Sequence, residues 1–271
     1  MHTEIIRNLD LRQIADSGQC FRWNEIEADR YGLIAFGRYL EITQRGDVFE
    51  FDCTAEELEQ IWKPYLDLDT DYEALMKLAP DETDLFMKEA FKYGSGIRIL
   101  RQDSFETFIS FIISQNNNIP RIRKNIEGMC ERFGDKVFKE GELKGYSFPK
   151  PEVLASQTLE SLAGLGLGYR DKYIISASNW YINEKDGLCK TLMSDICADE
   201  KRKILKSILG VGDKVANCII LFGLYGLDCC PVDTWIKKLI SEDYNGNKPA
   251  WMDSPYAGLY QQYAFYYKRS L

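Results

Sequence analysis

The spacing of apolar residues changes at Thr54, and this change limits what the chain of 271 residues can fold into. From about Leu9 to Cys53, apolar, β-branched and aromatic residues alternate or run together between turn signals, which predicts an antiparallel meander of strands. From Thr54 onwards apolar residues recur at helical spacing, and Thr54 with Glu57 has the pattern of a capping box at a helix start. The sequence therefore predicts an α+β fold, in which an N-terminal antiparallel β-sheet domain is followed by two mostly α-helical domains.

We expect three regions along the chain. Residues 1–95 are predicted to form the sheet with flanking helices, residues 96–254 the helical part, and residues 255–271 a C-terminal helix. Hydrophobic residues make up 45% of the sequence, which is typical of a globular protein with a full core. No apolar run reaches membrane-spanning length and the N-terminus is unlike a signal peptide, so we expect a cytoplasmic protein, in a prokaryote one close to the chromosome.

The histidine and cysteine content excludes several kinds of chemistry. His2 is the single histidine, which excludes His-based metal sites and nearly all Ser-His or Cys-His nucleophile pairs. The eight cysteines are scattered without a Cys-x-x-Cys pair, and with a cytosolic location this favours free thiols over disulfides. Chemistry in this chain therefore has to use Lys, Asp, Glu, Cys or backbone groups.

The chain is acidic, with a formal net charge of −8 and an isoelectric point near 5.0. This acidity argues against a protein that coats DNA by electrostatic attraction alone. A face that binds nucleic acid would have to be locally basic, or would have to rely on backbone amides and helix N-termini.

Leu209-Gly210-Val211-Gly212 lies between two amphipathic helical patterns and predicts a tight hairpin, so the helical part is expected to contain a helix-hairpin-helix motif. Lys214 follows in the first turn of the next helix, where free N–H groups and the helix dipole attract phosphate. The same field disfavours the protonated amine, and a lysine with a lowered pKa is a nucleophile. The alternative is an ordinary interhelical turn followed by a surface lysine.

Three further stretches place polar groups or glycines at turns. Asp233, after Pro231 and Val232, begins another helix, where its carboxylate is either a helix cap or a stabiliser of positive charge. Residues 114–121 carry consecutive asparagines and form either a polar turn or a probe that hydrogen-bonds in a vacated space. Residues 164–170 alternate glycine with leucine and predict a second sharp turn.

An activated amine, a carboxylate at a helix start and a phosphate-binding hairpin together fit the cleavage of an N-glycosidic bond in DNA. The amine attacks C1′ of deoxyribose and forms a Schiff base, while the carboxylate stabilises positive charge on the sugar. The nucleotide has to be flipped out of the duplex before it can be reached.

With these motifs in place, the chain resembles the helix-hairpin-helix glycosylase superfamily, and within it the eukaryotic-type 8-oxoguanine DNA glycosylase/AP lyases, which also occur in some bacteria and archaea. The asparagine triplet at 116–118 and the Gly-Leu-Gly-Tyr-Arg run that ends at Arg170 are specific to that branch. The matching segments follow the family's order over nearly the whole chain: residues 17–23, 100–103, 114–119, 165–170, 209–216, 231–233 and the final helix around Gln261 and Phe265.

The resemblance implies a role for each matching position. Lys214 corresponds to the nucleophile that attacks C1′ and holds the sugar as an imine for strand cleavage, and Asp233 to the stabiliser of the developing oxocarbenium ion. Gly18 is similar to the glycine whose carbonyl accepts the N7 hydrogen of 8-oxoguanine, which guanine lacks. The other implied contacts to the lesion base are Cys218 and Phe265 on its two faces and Gln261 on its Watson–Crick edge.

Four positions are implied to contact DNA opposite the lesion. Asn116 resembles the residue that fills the vacated space, and Tyr169 resembles the wedge beside it. Arg121 and Arg170 match the two arginines that hydrogen-bond the estranged cytosine. The resemblance therefore predicts a monomer that acts on double-stranded DNA and prefers 8-oxoguanine opposite cytosine.

The hairpin residues Leu209, Gly210, Val211 and Gly212 are implied to hold a DNA phosphate, in this superfamily often through a monovalent cation on backbone carbonyls. No catalytic metal is implied. Iron–sulfur relatives carry a four-cysteine cluster late in the chain, and because no such spacing occurs here we predict no cluster. Trp235 stands where eukaryotic members have a histidine near the DNA backbone, which puts a phosphate contact at this position in question.

Two other interpretations stay open. The first is a helix-hairpin-helix glycosylase for another damaged base, such as an alkylated one. Those relatives usually lack the lysine and use the aspartate alone, so Lys214 counts against it. The second is a non-catalytic DNA-binding module in which the hairpin only binds phosphate. Lys214 and Asp233, together with the recognition residues, count against that module.

Overall fold

The computed structural model describes residues 1–79, 83–183, 192, 194 and 196–271. An N-terminal antiparallel sheet is followed by helices that surround a second core, which confirms the predicted α+β class and its order along the chain. Within the described ranges, no helix combines the length and the apolar character needed to cross a membrane.

The sheet contains five strands in the spatial order β1-β5-β4-β3-β2, and all neighbouring strands are antiparallel. Its strands are β1 (His2–Ile5), β2 (Trp23–Glu27), β3 (Arg30–Ala35), β4 (Arg38–Arg45) and β5 (Val48–Phe51). Alternation fixes the register: Leu40 lies opposite Leu33 and Ile42 opposite Phe51, and all four side chains are buried.

The meander prediction was wrong in two respects. Strand β1 lies before the predicted start at Leu9 and pairs with β5. A helix, α1 (Leu11–Asp16), interrupts the predicted strands, and its buried residues have the helical spacing i, i+3 and i+4. Asp10 caps this helix by accepting a hydrogen bond from the Gln13 N–H at 2.8 Å, a signal that the sequence carried and that we overlooked.

Helices form most of the remaining described structure. They are α2 (Ala55–Glu57), a π-helical segment (Leu58–Trp62), α3 (Lys63–Tyr65), α4 (Tyr72–Lys77), α5 (Leu85–Tyr93), α6 (Ser104–Ile113), α7 (Ile119–Phe133), α8 (Pro151–Ala155), α9 (Leu159–Leu162), α10 (Arg170–Asn183), α11 (Ala198–Lys206), α12 (Asp213–Gly223), α13 (Thr234–Asp243), a 3₁₀ turn (Ala250–Asp253) and α14 (Ala257–Ser270).

Several predicted helix starts are confirmed. Thr54 and Glu57 bond reciprocally as a capping box, and Asp103 caps α6 through the backbone N–H of its third residue. Thr158 caps α9 with a second capping box. Short polar side chains that can accept a hydrogen bond from a free helical N–H therefore marked these boundaries reliably.

Two predicted starts differ. Helix α11 begins at Ala198, so Asp199 lies in its first turn rather than at the cap that we predicted for it. A carboxylate one or two residues inside a helix start is stabilised by the dipole, and the sequence alone does not separate this position from a cap. The predicted start at Asp81 lies outside the described residues, and α5 begins at Leu85.

Residues 135–157, which we predicted to be a loose stretch, contain a two-stranded hairpin of β6 (Lys136–Lys139) and β7 (Glu142–Tyr146). Its turn is Glu140-Gly141, with φ of 50° and 83°. Two consecutive positive φ values suit the right-handed twist of a hairpin. The glycine of this turn was a usable signal, but a positive-φ glutamate beside it is uncommon.

Two hydrophobic cores organise the described chain. The sheet core includes α1, the strands and α3, with Trp23 and Trp62 almost fully buried. The helical core includes Tyr72 and Met87, so α4 and α5 pack with the helical part although they lie inside the predicted N-terminal region 1–95. Helix α5 packs against α14, which ties the C-terminal helix to the middle of the chain.

Arg22, just before β2, connects the sheet to the helices. Its Nη1 lies 3.7 Å from the Glu106 carboxylate of α6, its Nε lies 3.4 Å from Glu127 of α7, and its Nη2 donates to the Tyr146 carbonyl. Burial raises the pKa of the Glu106 carboxyl to about 7, although the neighbouring Arg22 lowers it. Glu106 thus takes up a proton within the physiological pH range.

This shift predicts that the folded protein loses stability as the pH rises from about 5 to 8. The folded state holds a proton on Glu106 at pH values where the unfolded chain has lost it, so deprotonation favours unfolding. Denaturant unfolding across this pH range should show the slope in the native protein and a flatter dependence in Glu106→Gln. Glu131→Gln, an exposed site on α7, should keep the native slope. Equal slopes in all three proteins would contradict the assignment.

Candidate active site

The predicted hairpin connects α11 to α12, and its first glycine is required by the packing. Gly210 has a φ of 87°, which side chains rarely adopt. A Cβ at this position would come within 2.5 Å of the Tyr173 ring of α10. The hairpin therefore rests on α10 at a distance that only glycine permits.

Gly212 has a different role, because a Cβ there would meet no atom within 4 Å. It is the N-cap of α12, and no side chain caps the helix. The N–H groups of the first turn are thus free of a side-chain cap and lie beside open space. Asp213, in the same turn, pairs with Lys206 at 2.7 Å, and this hydrogen bond lowers the pKa of its carboxyl.

Lys214 is half-buried at the start of α12, and its amine lies 5.4 Å from the centroid of the Phe111 ring. Within the described ranges, no carboxylate lies within salt-bridge distance of this amine. Lys206 and Lys238, by contrast, pair with Asp213 and Glu242. The Lys214 amine is therefore held against an aromatic ring and is available to a ligand.

Cys218 lies one turn further along α12 and is buried. Burial raises the pKa of its thiol, while the Lys214 ammonium lowers it through its charge and a hydrogen bond, and Asp233 raises it. These three groups are therefore close enough to influence one another. Cys218 lies behind Lys214 and Asp233, inside the protein, and does not line the cleft that these two residues share.

Asp233 is the N-cap of α13, where one carboxylate oxygen accepts a hydrogen bond from the Ile236 N–H at 2.9 Å. The capping role weighed for this residue is confirmed. Asp233 also lines the same cleft as Lys214. A carboxylate held by an N–H group of its own helix has a fixed orientation. Asp233 can therefore cap α13 with one oxygen and still present its negative charge to the cleft.

The cleft has a volume of about 1060 Å³ and brings residues from distant parts of the chain together. Predicted site residues that line it are Gly18, Asn116, Arg121, Gly212, Lys214, Asp233, Trp235 and Phe265. Its charged lining comprises four cations, Arg121, Lys214, Lys237 and Arg269, and two carboxylates, Asp213 and Asp233. The cleft is locally basic on a chain with a net charge of −8, as the sequence required of a DNA-binding face.

Gly18 and Phe265 form one wall of this cleft. Gly18 has a φ of 77°, and a Cβ built on it would lie 3.6 Å from the Phe265 ring. Gln261, one turn before Phe265, is buried, and its side-chain oxygen has no hydrogen-bond partner among the described residues. A buried amide oxygen without a partner is unusual in a folded protein. A ligand that donates a hydrogen bond would satisfy it.

The residues predicted to contact the opposite strand lie on neighbouring turns. Asn116, with a φ of 45°, donates from its side chain to the Tyr169 hydroxyl at 3.1 Å. Arg121 donates to the Gly166 carbonyl at 3.0 Å. Arg170 is buried and donates to the Gln115 and Asn116 carbonyls, so it holds the two turns together and would have to leave these acceptors to reach a base.

Several residues of the cleft were not singled out from the sequence, and two of them, Phe111 and Arg269, contact predicted site residues. Phe111 supports the Lys214 amine, but in the sequence it is one more apolar residue of α6. Arg269 lies near the C-terminus, with its guanidinium carbon 5.4 Å from the centroid of the Phe265 ring. Its position four residues after Phe265, on the same helical face, was the available signal.

Comparisons with known proteins agree with this arrangement. Residues 4–108 match the family model of the 8-oxoguanine DNA glycosylase N-terminal domain, and residues 109–252 match that of the HhH-GPD superfamily base excision DNA repair protein. The N-glycosylase/DNA lyase of Saccharomyces cerevisiae is 32% identical over 265 residues, which cover 87% of this chain and 68% of the yeast protein.

Solved structures give the same result. The Clostridium acetobutylicum 8-oxoguanine glycosylase/lyase, in complex with double-stranded DNA that contains cytosine opposite 8-oxoguanine, superimposes with a TM-score of 0.88 and 34% identity. This match covers 97% of our chain and 92% of the other. MBOgg1 in complex with a low-affinity DNA ligand gives a TM-score of 0.90 and 38% identity over 98% and 93% of the two chains. The chain therefore belongs to the HhH-GPD superfamily of base excision DNA repair proteins, and within it to the 8-oxoguanine DNA glycosylase family of N-glycosylase/DNA lyases.

Proposed function

We propose that this protein excises 8-oxoguanine, preferably opposite cytosine, from double-stranded DNA and then cleaves the strand as an AP lyase. The observation that carries the proposal is the Lys214 amine, which has no carboxylate partner among the described residues and shares one cleft with the Asp233 carboxylate. This amine lies at the positive end of α12 and against the Phe111 ring. The Asp233 carboxylate is held in place by the Ile236 N–H of its own helix.

The first step is base release. Attack on C1′ requires the unprotonated form of the Lys214 amine. The electrons of the bond between C1′ and N9 leave with the base, which takes up the proton that the new secondary ammonium on C1′ releases. Positive charge develops on C1′ and on the ring oxygen as this bond breaks. The Asp233 carboxylate stabilises that charge, and it does so without reorganising because the Ile236 N–H holds it in place.

The second step is strand cleavage. The amine on C1′ opens the sugar ring and becomes a protonated imine, which acidifies the hydrogens on C2′. Loss of one of these protons expels the 3′ phosphate by β-elimination, and water then hydrolyses the imine and regenerates Lys214. A free amine supports both steps, whereas a carboxylate alone supports only base release.

Lesion recognition uses the wall of the cleft that Gly18 and Phe265 form. The Gly18 carbonyl accepts the N7 hydrogen that 8-oxoguanine has and guanine lacks. Phe265 lines the cleft and contacts one face of the base. Cys218 and Gln261 are buried behind the cleft wall, so both meet the base only when it enters past that wall. Cys218 then contacts the other face, and the Gln261 oxygen, which has no partner among the described residues, accepts a hydrogen bond from the Watson–Crick edge. The cleft lies between turns of the protein and does not follow a groove of the DNA duplex. Each of these contacts therefore requires a nucleotide that has been flipped out of the duplex.

The opposite strand is contacted by the two neighbouring turns. Asn116 fills the space left by the flipped nucleotide and Tyr169 wedges beside it, consistent with the hydrogen bond between them. Arg121 and Arg170 supply donors to the estranged cytosine, which presents acceptors on its Watson–Crick edge. When DNA binds, both arginines leave their backbone carbonyl acceptors and donate to the base instead.

The hairpin holds a DNA phosphate through the free N–H groups at Gly212 and beyond. The carbonyls of Leu209 and Val211 accept no hydrogen bond from any described residue, so they suit a monovalent cation that bridges hairpin and phosphate. Such a cation supplies positive charge to the phosphate and takes no part in the chemistry. Trp235 lines the cleft and, having no charge, contributes packing rather than a charged phosphate contact.

We further propose that the protein acts as a monomer on chromosomal DNA in the cytoplasm and carries no iron–sulfur cluster. A glycosylase for an alkylated base would not need Lys214, and a non-catalytic binding module would need neither Lys214 nor Asp233. The experiments below separate these alternatives.

Replacing Lys214 by Gln should leave the affinity for 8-oxoguanine DNA within a few-fold of the native value and abolish both base release and strand cleavage. The change removes the nucleophile while most DNA contacts remain. Gel-shift titration and single-turnover cleavage of a duplex with 8-oxoguanine opposite cytosine measure the two properties. Lys92→Gln, an exposed lysine on α5 outside the cleft, should keep both DNA binding and cleavage at native levels.

If Lys214→Gln still releases the free base, the protein is a lysine-independent glycosylase. If neither the native protein nor the variant releases base, and both bind damaged and undamaged DNA equally, the binding module is correct.

Replacing Asp233 by Asn should lower the rate of base release by about 10²–10³-fold while the thermal midpoint changes little. Asparagine caps a helix about as well as aspartate, so the substitution removes the charge and keeps the cap. Single-turnover rates and thermal unfolding measure the two effects. Asp71→Asn, at the N-cap of α4, should leave the rate unchanged. A native rate in Asp233→Asn would reduce Asp233 to a structural cap.

A further inference from the structure

The backbone carbonyls around Gly18 are almost all engaged. The Ile14 carbonyl accepts from the Ser17 hydroxyl at 2.7 Å, and the Ala15 carbonyl from Arg123 at 2.8 Å. The remaining bonds run from the Arg269 guanidinium to the Asp16 carbonyl at 2.7 Å, from the Gln262 amide to the Ser17 carbonyl at 2.5 Å and from the Gln102 amide to the Gln19 carbonyl at 2.8 Å. Carbonyls at the end of a helix need such partners.

Gly18 is the exception in this run. Its carbonyl accepts no hydrogen bond from any residue that the structure describes, although the carbonyls before and after it each have a side-chain donor. Gly18 has a positive φ and lines the cleft. A single unpaired acceptor in an otherwise saturated loop is a binding group for a hydrogen-bond donor.

Two of the donors come from α14, the helix that also carries Phe265. Gln262 is buried, and its amide reaches Ser17 across 245 positions of sequence. Arg269 bonds the Asp16 carbonyl and stacks on Phe265, so one guanidinium holds both the loop and the ring. Gln102 holds the other side of Gly18 from the segment before α6.

We propose that Arg269, Gln262 and Gln102 are positioning residues for lesion recognition. Because they donate to the carbonyls of residues 16, 17 and 19, they hold Gly18 in its positive-φ conformation. The Gly18 carbonyl is then the acceptor that the loop presents to the cleft. The ligand so selected is a purine with a hydrogen on N7. This inference rests on the proposed excision of 8-oxoguanine, and it assigns the selectivity of that site to three side chains that do not contact the base.

Binding to three duplexes tests the proposal. They carry, opposite cytosine, 8-oxoguanine, guanine or 8-methoxyguanine, which keeps an oxygen on C8 but has no hydrogen on N7. Dissociation constants are measured in the Lys214→Gln background, where base release does not interfere. The parent should prefer 8-oxoguanine over 8-methoxyguanine. Arg269→Met and Gln262→Met should each lose about tenfold of that preference, because the Gly18 carbonyl is then no longer held in a fixed direction.

The controls separate positioning from general stability. Arg269→Lys retains a donor for the Asp16 carbonyl and should retain most of the preference. Arg38→Met removes an equal charge from the exposed pair between Arg38 of β4 and Glu57 of α2 and should leave the preference unchanged. Arg269 lies near the end of the last helix, so its variants decide the question even if Gln262→Met does not fold.

Three results overturn the inference. An unchanged preference in the Arg269 and Gln262 variants, or an equal loss of affinity for all three duplexes, reduces these side chains to structural ties. No preference in the parent itself overturns the proposed reading of N7 by Gly18, and the inference with it. The parent measurement therefore distinguishes failure of the function from failure of the positioning residues.

Discussion

The burial of α12 is the constraint on which the site depends. The helix is covered along most of its length by the helical core, from Val215 to Phe222, and only its first turn reaches the cleft. Phe111 stacks on Phe222 with centroids 5.3 Å apart and also lies under the Lys214 amine. Rotating α12 would uncover apolar surface, so the packing of the helix sets the direction of the lysine, and the hydrogen bond between Lys214 and Cys218 forms within that arrangement.

Charge in this protein is distributed so that an acidic chain can bind a polyanion. The sheet and the outer helices carry acidic residues in ion pairs, while the cleft has more cations than carboxylates. The free N–H groups at Gly212 add partial positive charge without lysine or arginine. The cleft therefore offers a locally basic surface to a polyanion although the chain as a whole is acidic.

The sequence predicted the fold class, the hairpin and several helix caps, among them Asp103 and Asp233, because each depends on local chemistry such as a glycine with positive φ or an aspartate before a helix. The caps Asp10, Asp71 and Asp84 carry the same signal and were not predicted. The sequence did not predict α1 or the hairpin of β6 and β7, whose short patterns compete with the surrounding strand and loop signals. Within the cleft, the contact of Phe111 with Lys214 and that of Arg269 with Asp16 arise only from tertiary packing. No rule based on sequence spacing predicts a hydrogen bond between residues 16 and 269.

The central claim is that the Lys214 amine bonds to C1′ of the damaged nucleotide. Borohydride reduction during turnover on a duplex with 8-oxoguanine opposite cytosine, followed by proteolysis and mass spectrometry, identifies the residue that carries the sugar. One adduct is expected, on the peptide that contains Lys214, and none with guanine in place of the lesion. An adduct on Lys237 or on another amine, or base release without any adduct, would contradict it.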